Sequence, residues 1–115
     1  ALEDYFAANH VRISYGGRRG FIDDMFEAAG YARHVTASFT HFSGALSTLM
    51  NSEVIATIPS FAAESYAAMT DMTVCPVPFP VPSFRCFMVW DIARHNKPHH
   101  EWLRQFISNL AQVVR

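Results

Sequence analysis

Three turns of this sequence carry the side chains best suited to binding a small molecule. Each turn follows a segment rich in β-forming residues and precedes a segment with helical character. The residues are Ser14 and Tyr15 in the first turn, Thr40, His41 and Phe42 in the second, and Pro59 and Ser60 in the third. Hydroxyl and imidazole groups form hydrogen bonds, and the N–H groups at a helix N-terminus favour carboxylates. These turns predict a ligand-binding site if the segments before them are neighbouring strands.

Metal binding and catalysis have weaker candidates. His95 and His99 are spaced like metal ligands, but Pro98 lies between them at a predicted helix start, so they do not share a helix face. Without a third well-spaced ligand, the sequence predicts no metal site and no cofactor. No Gly-x-Ser-x-Gly elbow occurs, and Cys86 lies inside a strand-like segment rather than at a helix N-terminus. We therefore predict no catalytic residue and no enzyme activity.

The glycine-rich turn from Gly16 to Gly20 is a candidate phosphate loop. Its sequence, Gly-Gly-Arg-Arg-Gly, matches neither the P-loop nor the dinucleotide-binding pattern. We therefore interpret Arg18 and Arg19 as solvated side chains of a turn whose glycines permit positive φ angles.

The run from Val54 to Ile58 is the strand around which the predicted fold is organised. It is apolar, mostly β-branched and nearly uninterrupted, as is typical of strands buried on both faces of a parallel sheet. Pro59 has no N–H for a sheet ladder, so the strand is expected to end there. Ser60 then offers an N-cap oxygen for a helix that ends near Met69, and Thr40 could cap the preceding helix in the same way.

The rest of the chain repeats this alternation of strand and helix. Further strands are predicted over 10–14, 33–39, 73–75 and 85–91, and helices over 2–8, 21–29, 45–50 and 99–114. A proline-rich connector, 76–82, precedes the last strand. The pattern predicts an α/β fold with a mainly parallel sheet and helices on both faces. In such sheets ligands bind outside the carboxyl ends of the strands, where the three turns are expected to lie.

Composition limits the partners and the compartment. The 115 residues are enough for one domain, and the net charge of −1 argues against binding DNA or an anionic membrane by bulk charge. No apolar run approaches the ~20 residues of a membrane span, and no basic segment predicts a signal peptide. Cys75 and Cys86 are predicted to be reduced, and the chain to be cytoplasmic.

The order of several short motifs resembles one protein family over the whole chain. They include Asp4-Tyr5, Arg33 opening a strand, His41-Phe42 opening a helix, Ser52-Glu53 before the Val54 strand, Pro76-Val-Pro-Phe-Pro, Trp90, and Glu101-Trp-Leu-Arg104. Together they resemble the C-terminal part of the effector-binding domain of LysR-type transcriptional regulators. That domain has the type 2 periplasmic-binding-protein fold, with two α/β subdomains.

The resemblance implies a division of the chain and a function. Residues 1–84 would be the second subdomain, and 85–115 would be a return strand and a C-terminal helix that packs on the first subdomain. The function would be sensing of a small-molecule effector, a small carboxylate or an aromatic compound, in the cleft between subdomains. DNA would be bound only through an N-terminal domain that is not part of these residues. A small α/β enzyme with a site at the same strand ends is the alternative.

The C-terminal helix leads to one more expectation. Its apolar face consists of Trp102, Leu103, Phe106, Ile107, Leu110, Val113 and Val114. Burying one such side chain contributes roughly 1.5–3 kcal/mol. Without the first subdomain, we expect this chain to form a homo-oligomer, either through this helix or by exchange of the 99–114 segment between copies.

Overall fold

A computed structural model describes residues 1–113. The helices are α1 (Leu2–Ala7), α2 (Phe21–Ala28), α3 (Phe42–Asn51), α4 (Ser60–Met69) and α5 (Pro98–Val113). The strands are β1 (Asn9–Ile13), β2 (His34–Phe39) and β3 (Ile55–Ala56), and short 3₁₀ turns lie at Tyr15–Gly17 and Ile92–Arg94. The chain divides into two compact units, Ala1–Val81 and Pro82–Arg115.

The first unit is built on a parallel sheet of order β2-β1-β3. The central strand β1 pairs with β2 from Asn9↔His34 to Ile13↔Phe39, and with β3 at His10↔Ile55 and Val11↔Ala56. Thr36 of β2 has no partner residue in β1, because His10 pairs with Val35 and Val11 pairs with Ala37. The Thr36 Oγ1 instead donates a hydrogen bond to the His10 carbonyl at 3.2 Å. The carboxyl ends of the three strands therefore lie at one edge of the sheet.

Helices pack on both faces of the sheet, against side chains of β1 that point alternately to one face and the other. Side chains of consecutive strand residues point to opposite faces. His10 contacts Tyr5 of α1, with ring centroids 4.7 Å apart, and Arg12 reaches Asp23 of α2. Val11 lies between these two residues and is buried, as is Ala45 of α3, a helix that contacts β1.

Aromatic rings form the packing between α1 and α2. Phe26 is fully buried and contacts Tyr5, Phe6 and Phe79 edge to face, with centroids 4.9 to 5.8 Å apart. Phe6 also stacks on Tyr31 at 4.7 Å. Such pairs contribute roughly 0.5–1.5 kcal/mol each beyond the area they bury. Phe79 comes from the proline-rich connector, so part of that connector belongs to this core.

Two glycines are required by the backbone. Gly30 follows Ala29, the C-cap of α2, and has φ +83°, a conformation that glycine adopts without strain. Gly44 lies in α3, and a Cβ there would be 2.9 Å from the Phe39 ring. Glycine therefore allows α3 to approach the end of β2 closely.

Three of the predicted strands are wrong or too long. The predicted strand over 54–58 has only two paired residues, Ile55–Ala56, and both are half-buried rather than buried. The segments 73–75 and 85–91 form no strand in the described part of the chain. Their composition favours strands, but a strand also needs a partner, and these segments pair with none of the described strands. Residues 85–91 are exposed throughout.

The second unit consists mainly of α5 and the segment before it. The Arg104 guanidinium lies over the Trp90 ring at 4.6 Å and donates a hydrogen bond to the His95 carbonyl at 2.8 Å. The His95 ring stacks on Trp90. Five apolar residues of α5 are exposed: Trp102, Leu103, Phe106, Ile107 and Leu110. Val113 and Val114 of the predicted apolar face lie outside the described side chains.

Candidate functional site

The predicted site residues follow the carboxyl ends of the three parallel strands. Ser14 follows β1 directly, and its N–H donates a hydrogen bond to the Phe39 carbonyl at 3.0 Å. Because Ile13 pairs with Phe39, the turns that begin at Ser14 and Thr40 start side by side. Pro59 and Ser60 follow β3, on the other side of β1. The topology thus brings all three predicted turns to one edge of the sheet.

The side chains at this edge differ in exposure. Tyr15 is fully exposed at 105%, whereas Ser14 and Phe42 are half-buried. Thr40 Oγ1 lies 2.8 Å from His41 Nδ1, so these two side chains form one polar group. The Ser14 hydroxyl donates to the Arg18 carbonyl and thereby closes the first turn.

Two helices begin at this edge without side-chain caps, which corrects the predicted caps. The residue preceding α3 is His41 rather than Thr40, and the residue preceding α4 is Pro59, so Ser60 is the first helical residue. Within residues 1–113, no side chain forms an N-cap hydrogen bond to either helix. The first N–H groups of a helix have no intrahelical partner. Both N-termini therefore present backbone donors and positive dipole ends.

Two cavities lie elsewhere in the first unit. One, of about 680 Å³, is formed by the ends of α3 and α4, and includes Leu49, Met50, Met69 and Met72. The other, of about 210 Å³, lies beside α2. Neither of these cavities is lined by a predicted site residue.

A buried ion-pair network in the cavity beside α2 escaped the sequence analysis. Arg33 Nε and Nη2 donate to Asp23 Oδ1 and Oδ2 at 2.7 and 3.2 Å, and the Gly20 N–H donates to Oδ2 at 3.2 Å. Arg12 Nε lies 3.1 Å from the same Oδ2. The side chains of Arg33 and Asp23 are only 6% and 7% exposed. The network joins the first turn of α2 to β1 and to the entry of β2.

The ion pairs determine the charge state of Asp23. Burial of the carboxyl group by itself would raise its pKa. The hydrogen bonds from Arg33 and Gly20, with the positive charges of Arg33 and Arg12, outweigh burial and lower the pKa of Asp23 below its usual value. The signal in the sequence was Asp23 three residues after Gly20, the spacing at which an acid caps the start of a helix.

His10 is a second buried polar residue that the sequence analysis placed only as part of a strand. Its ring is fully buried, and its Nε2 lies 2.6 Å from the Tyr5 carbonyl. Among the described residues, its Nδ1 has no hydrogen-bond partner. Burial lowers the pKa of His10, while the Tyr5 carbonyl opposes this shift by favouring the protonated ring. The folded chain therefore holds His10 neutral.

We expect His10 to make the fold sensitive to mild acid. Because its pKa is lower in the folded state, the unfolded chain takes up a proton first as pH falls below about 6.5. Stability due to His10 is thus present above that pH and is lost by up to about 1.4 kcal/mol per pH unit below it. Urea unfolding at pH 7.5 and 5.5 measures the loss. His10→Gln should reduce the difference between the two pH values, and His99→Gln, at an exposed position, should not.

Two histidines of the second unit, His95 and His100, contact neighbouring side chains. Arg104 Nη1 lies 2.6 Å from His100 Nδ1, and His95 stacks on Trp90. Within the described ranges, no group of three or more potential ligands is close enough to bind a metal ion.

No helix among residues 1–113 has the length and hydropathy to span a bilayer. Cys75 and Cys86 are free and exposed.

Comparison with known proteins identifies the family. The family model described as the LysR substrate binding domain matches residues 1–112. The chain belongs to this family. It is 28% identical to Nodulation protein D 1 of Rhizobium tropici over 105 residues, which cover 90% of this chain and 34% of that protein. It is 26% identical to the HTH-type transcriptional activator NahR of Pseudomonas putida over 110 residues, 95% of this chain and 37% of that protein.

A solved structure supports the same assignment. The regulatory domain of MexT, a transcriptional activator in Pseudomonas aeruginosa, matches with a TM-score of 0.81 and 34% identity. The match covers 93% of this chain and 54% of that chain. The predicted family and the predicted α/β fold class are thus confirmed. The chain spans about a third of the length of the curated relatives and about half of the MexT regulatory domain.

Proposed function

We propose that this chain is an effector-sensing, non-enzymatic part of a LysR-type transcription regulator. The observation that carries the proposal is the carboxyl edge of the sheet, where two uncapped helix N-termini lie with the Ser14 and Thr40 turns. Family membership and relatives that are named as activators support the regulatory role. The effector would bind against Ser14, Tyr15, Thr40, His41, Phe42, Pro59 and Ser60.

The chemistry of this edge favours an effector with a carboxylate. Backbone N–H groups at the starts of α3 and α4 are preorganised donors, and the helix dipoles favour negative charge. The Thr40 hydroxyl and the His41 imidazole add polar groups beside them. Phe42 offers an apolar surface at the same edge, and its ring lies 6.2 Å from that of Tyr66. A small carboxylate with an apolar or aromatic body matches both features.

The proposal extends to the complete regulator. DNA would be bound by an N-terminal domain of the parent protein, which would act in the cytoplasm as a homo-oligomer. Residues 1–84 would form the second subdomain, and 85–115 would complete its connection to the first. The effector would regulate only if it bound one arrangement of the subdomains more tightly than another, since a ligand shifts an equilibrium by its differential affinity.

Substitutions at Ser60 test the role of the α4 N-terminus. Ser60→Pro removes the first N–H of the helix, and proline is favourable at that position. Pro59 already has ψ 141°, which a following proline requires. Ser60→Ala removes only the hydroxyl group. A thermal-shift screen of small carboxylates against the full-length regulator supplies a ligand, and its affinity for each variant is then measured by calorimetry.

We expect Ser60→Pro to weaken carboxylate binding by roughly tenfold or more, because a hydrogen bond to a charged group contributes about 1.5–3 kcal/mol. Ser60→Ala should weaken binding less, and both variants should keep the melting temperature of the unliganded protein. Unchanged affinity in Ser60→Pro would remove the α4 N-terminus from the site. A screen in which no carboxylate alters reporter transcription would contradict the proposed effector class.

A further inference from the structure

The cavity beside α2 is separate from the carboxyl edge and has a different character. It is lined by Arg12, Arg19, Asp23, Phe26, Glu27, Tyr31, Ala32 and Arg33. Three arginines therefore share about 210 Å³ with two carboxylates.

Two of the three arginines form hydrogen bonds with carboxylates. Arg33 forms two hydrogen bonds with Asp23, at 2.7 and 3.2 Å. Arg19 Nη2 donates to Asp24 at 3.0 Å and also to Glu27. Both carboxylates of the lining, Asp23 and Glu27, are therefore already paired with an arginine, and so is Asp24 on the same helix.

Arg12 is the arginine that remains without a complete partner. Its Nε lies 3.1 Å from Asp23 Oδ2, but the N–H is not aligned with that oxygen, and no other acceptor among residues 1–113 takes its place. Asp23 Oδ2 already accepts from Arg33 and from Gly20. The Arg12 side chain is only 17% exposed, so water replaces little of the lost solvation. Its Nε–H is a buried donor without a hydrogen bond, and its guanidinium lines the cavity, where a second anion would accept hydrogen bonds from it.

We propose that the cavity beside α2 is a binding site for a small oxyanion, a carboxylate or phosphate group held by Arg12. The guanidinium fork matches the paired oxygens of either group. A volume of about 210 Å³ is enough for a phosphate or a short carboxylate with a few waters, since a water occupies about 30 Å³. Phe26 and Tyr31 line the cavity with Arg12 and would limit the polar part of the ligand to one end. The site does not depend on the proposed effector cleft.

The test follows the Nε–H resonances of Arg12 and Arg18 in the ¹⁵N-labelled chain. Arg18 lies in the exposed turn before α2 and does not line the cavity. The chain is titrated with sodium phosphate and, separately, with sodium acetate, at constant pH and at an ionic strength fixed with sodium chloride. We expect a saturable shift of the Arg12 resonance and a small, linear shift of the Arg18 resonance. The anion that saturates at the lower concentration assigns the site to phosphate or carboxylate ligands.

Variants of the two arginines complete the test. Arg12→Gln should weaken anion binding by roughly tenfold or more, measured on the backbone amides of Gly20 and Ala32, and Arg18→Gln should leave it unchanged. Arg12→Lys keeps the charge without the fork, so its affinity should lie between those of Arg12→Gln and the unmodified chain. The titration of the unmodified chain is decisive even if Arg12→Gln does not fold. Equal, non-saturating shifts of Arg12 and Arg18 would overturn the proposal.

Discussion

Asp23→Asn is expected to destabilise the first unit by about 3–5 kcal/mol, the usual cost of breaking a buried ion pair by removal of one partner. The substitution keeps the size of the side chain but leaves Arg33, at 6% exposure, with a buried charge and no carboxylate. Arg12 loses its ion-pair partner at the same time. A loss of this size is a large fraction of the 5–15 kcal/mol that stabilise a typical domain. Urea unfolding at pH 7 measures it.

Asp24→Asn is the matched control, since it makes the same chemical change at the next position of α2. Asp24 pairs with Arg19 on the surface and is 72% exposed. We expect a loss below about 1 kcal/mol, because solvent screens exposed pairs. Similar small losses in both variants would mean that the buried network contributes little to stability.

The stability of the two proteins at low pH provides a second comparison between the unmodified chain and Asp23→Asn. Stability due to the lowered pKa of Asp23 is present above pH ~3.9 and lost below it, so Asp23→Asn should lack this loss.

The elements with strong local signals were predictable from the sequence. Phe21 to Ala29 has the periodicity of an amphipathic helix and is followed by Gly30, and the structure has a helix over Phe21–Ala28 with Gly30 at φ +83°. The segment 85–91 has equally strong β-forming composition, yet it forms no strand among the described residues. Periodicity is a local property, whereas a strand depends on a partner elsewhere.

The candidate site was predictable in its placement but not in its details. Parallel topology requires that the turns after β1, β2 and β3 share one edge, and this follows from the order of elements alone. The capping roles of Thr40 and Ser60 failed because each helix begins one residue away from the expected position. The Asp23 network could not be predicted because Arg33 and Arg12 meet Asp23 only through the tertiary fold.

The exposed face of α5 leads to the second large expected effect, self-association of this chain. Trp102, Leu103 and Phe106 are 65%, 46% and 48% exposed, and Ile107 and Leu110 continue the same face. The matched MexT regulatory domain is about twice as long as this chain. For the chain of 115 residues alone, we propose that a second copy covers it. Light scattering at high protein concentration should give at least twice the 13.0 kDa mass of one chain.

Leu103→Glu should weaken this association by roughly tenfold or more, because burial of a leucine contributes about 1.5–3 kcal/mol and a buried glutamate would be unpaired. Gln105→Glu is the control, since it introduces the same residue on the opposite side of α5, where the Gln105 side chain donates to Asn109 at 3.1 Å. It should leave the mass unchanged. Circular dichroism should show the same helical content in both variants. A monodisperse monomer of the unmodified chain at high concentration would refute the second-copy interface, and equal dissociation by both glutamates would place the interface elsewhere.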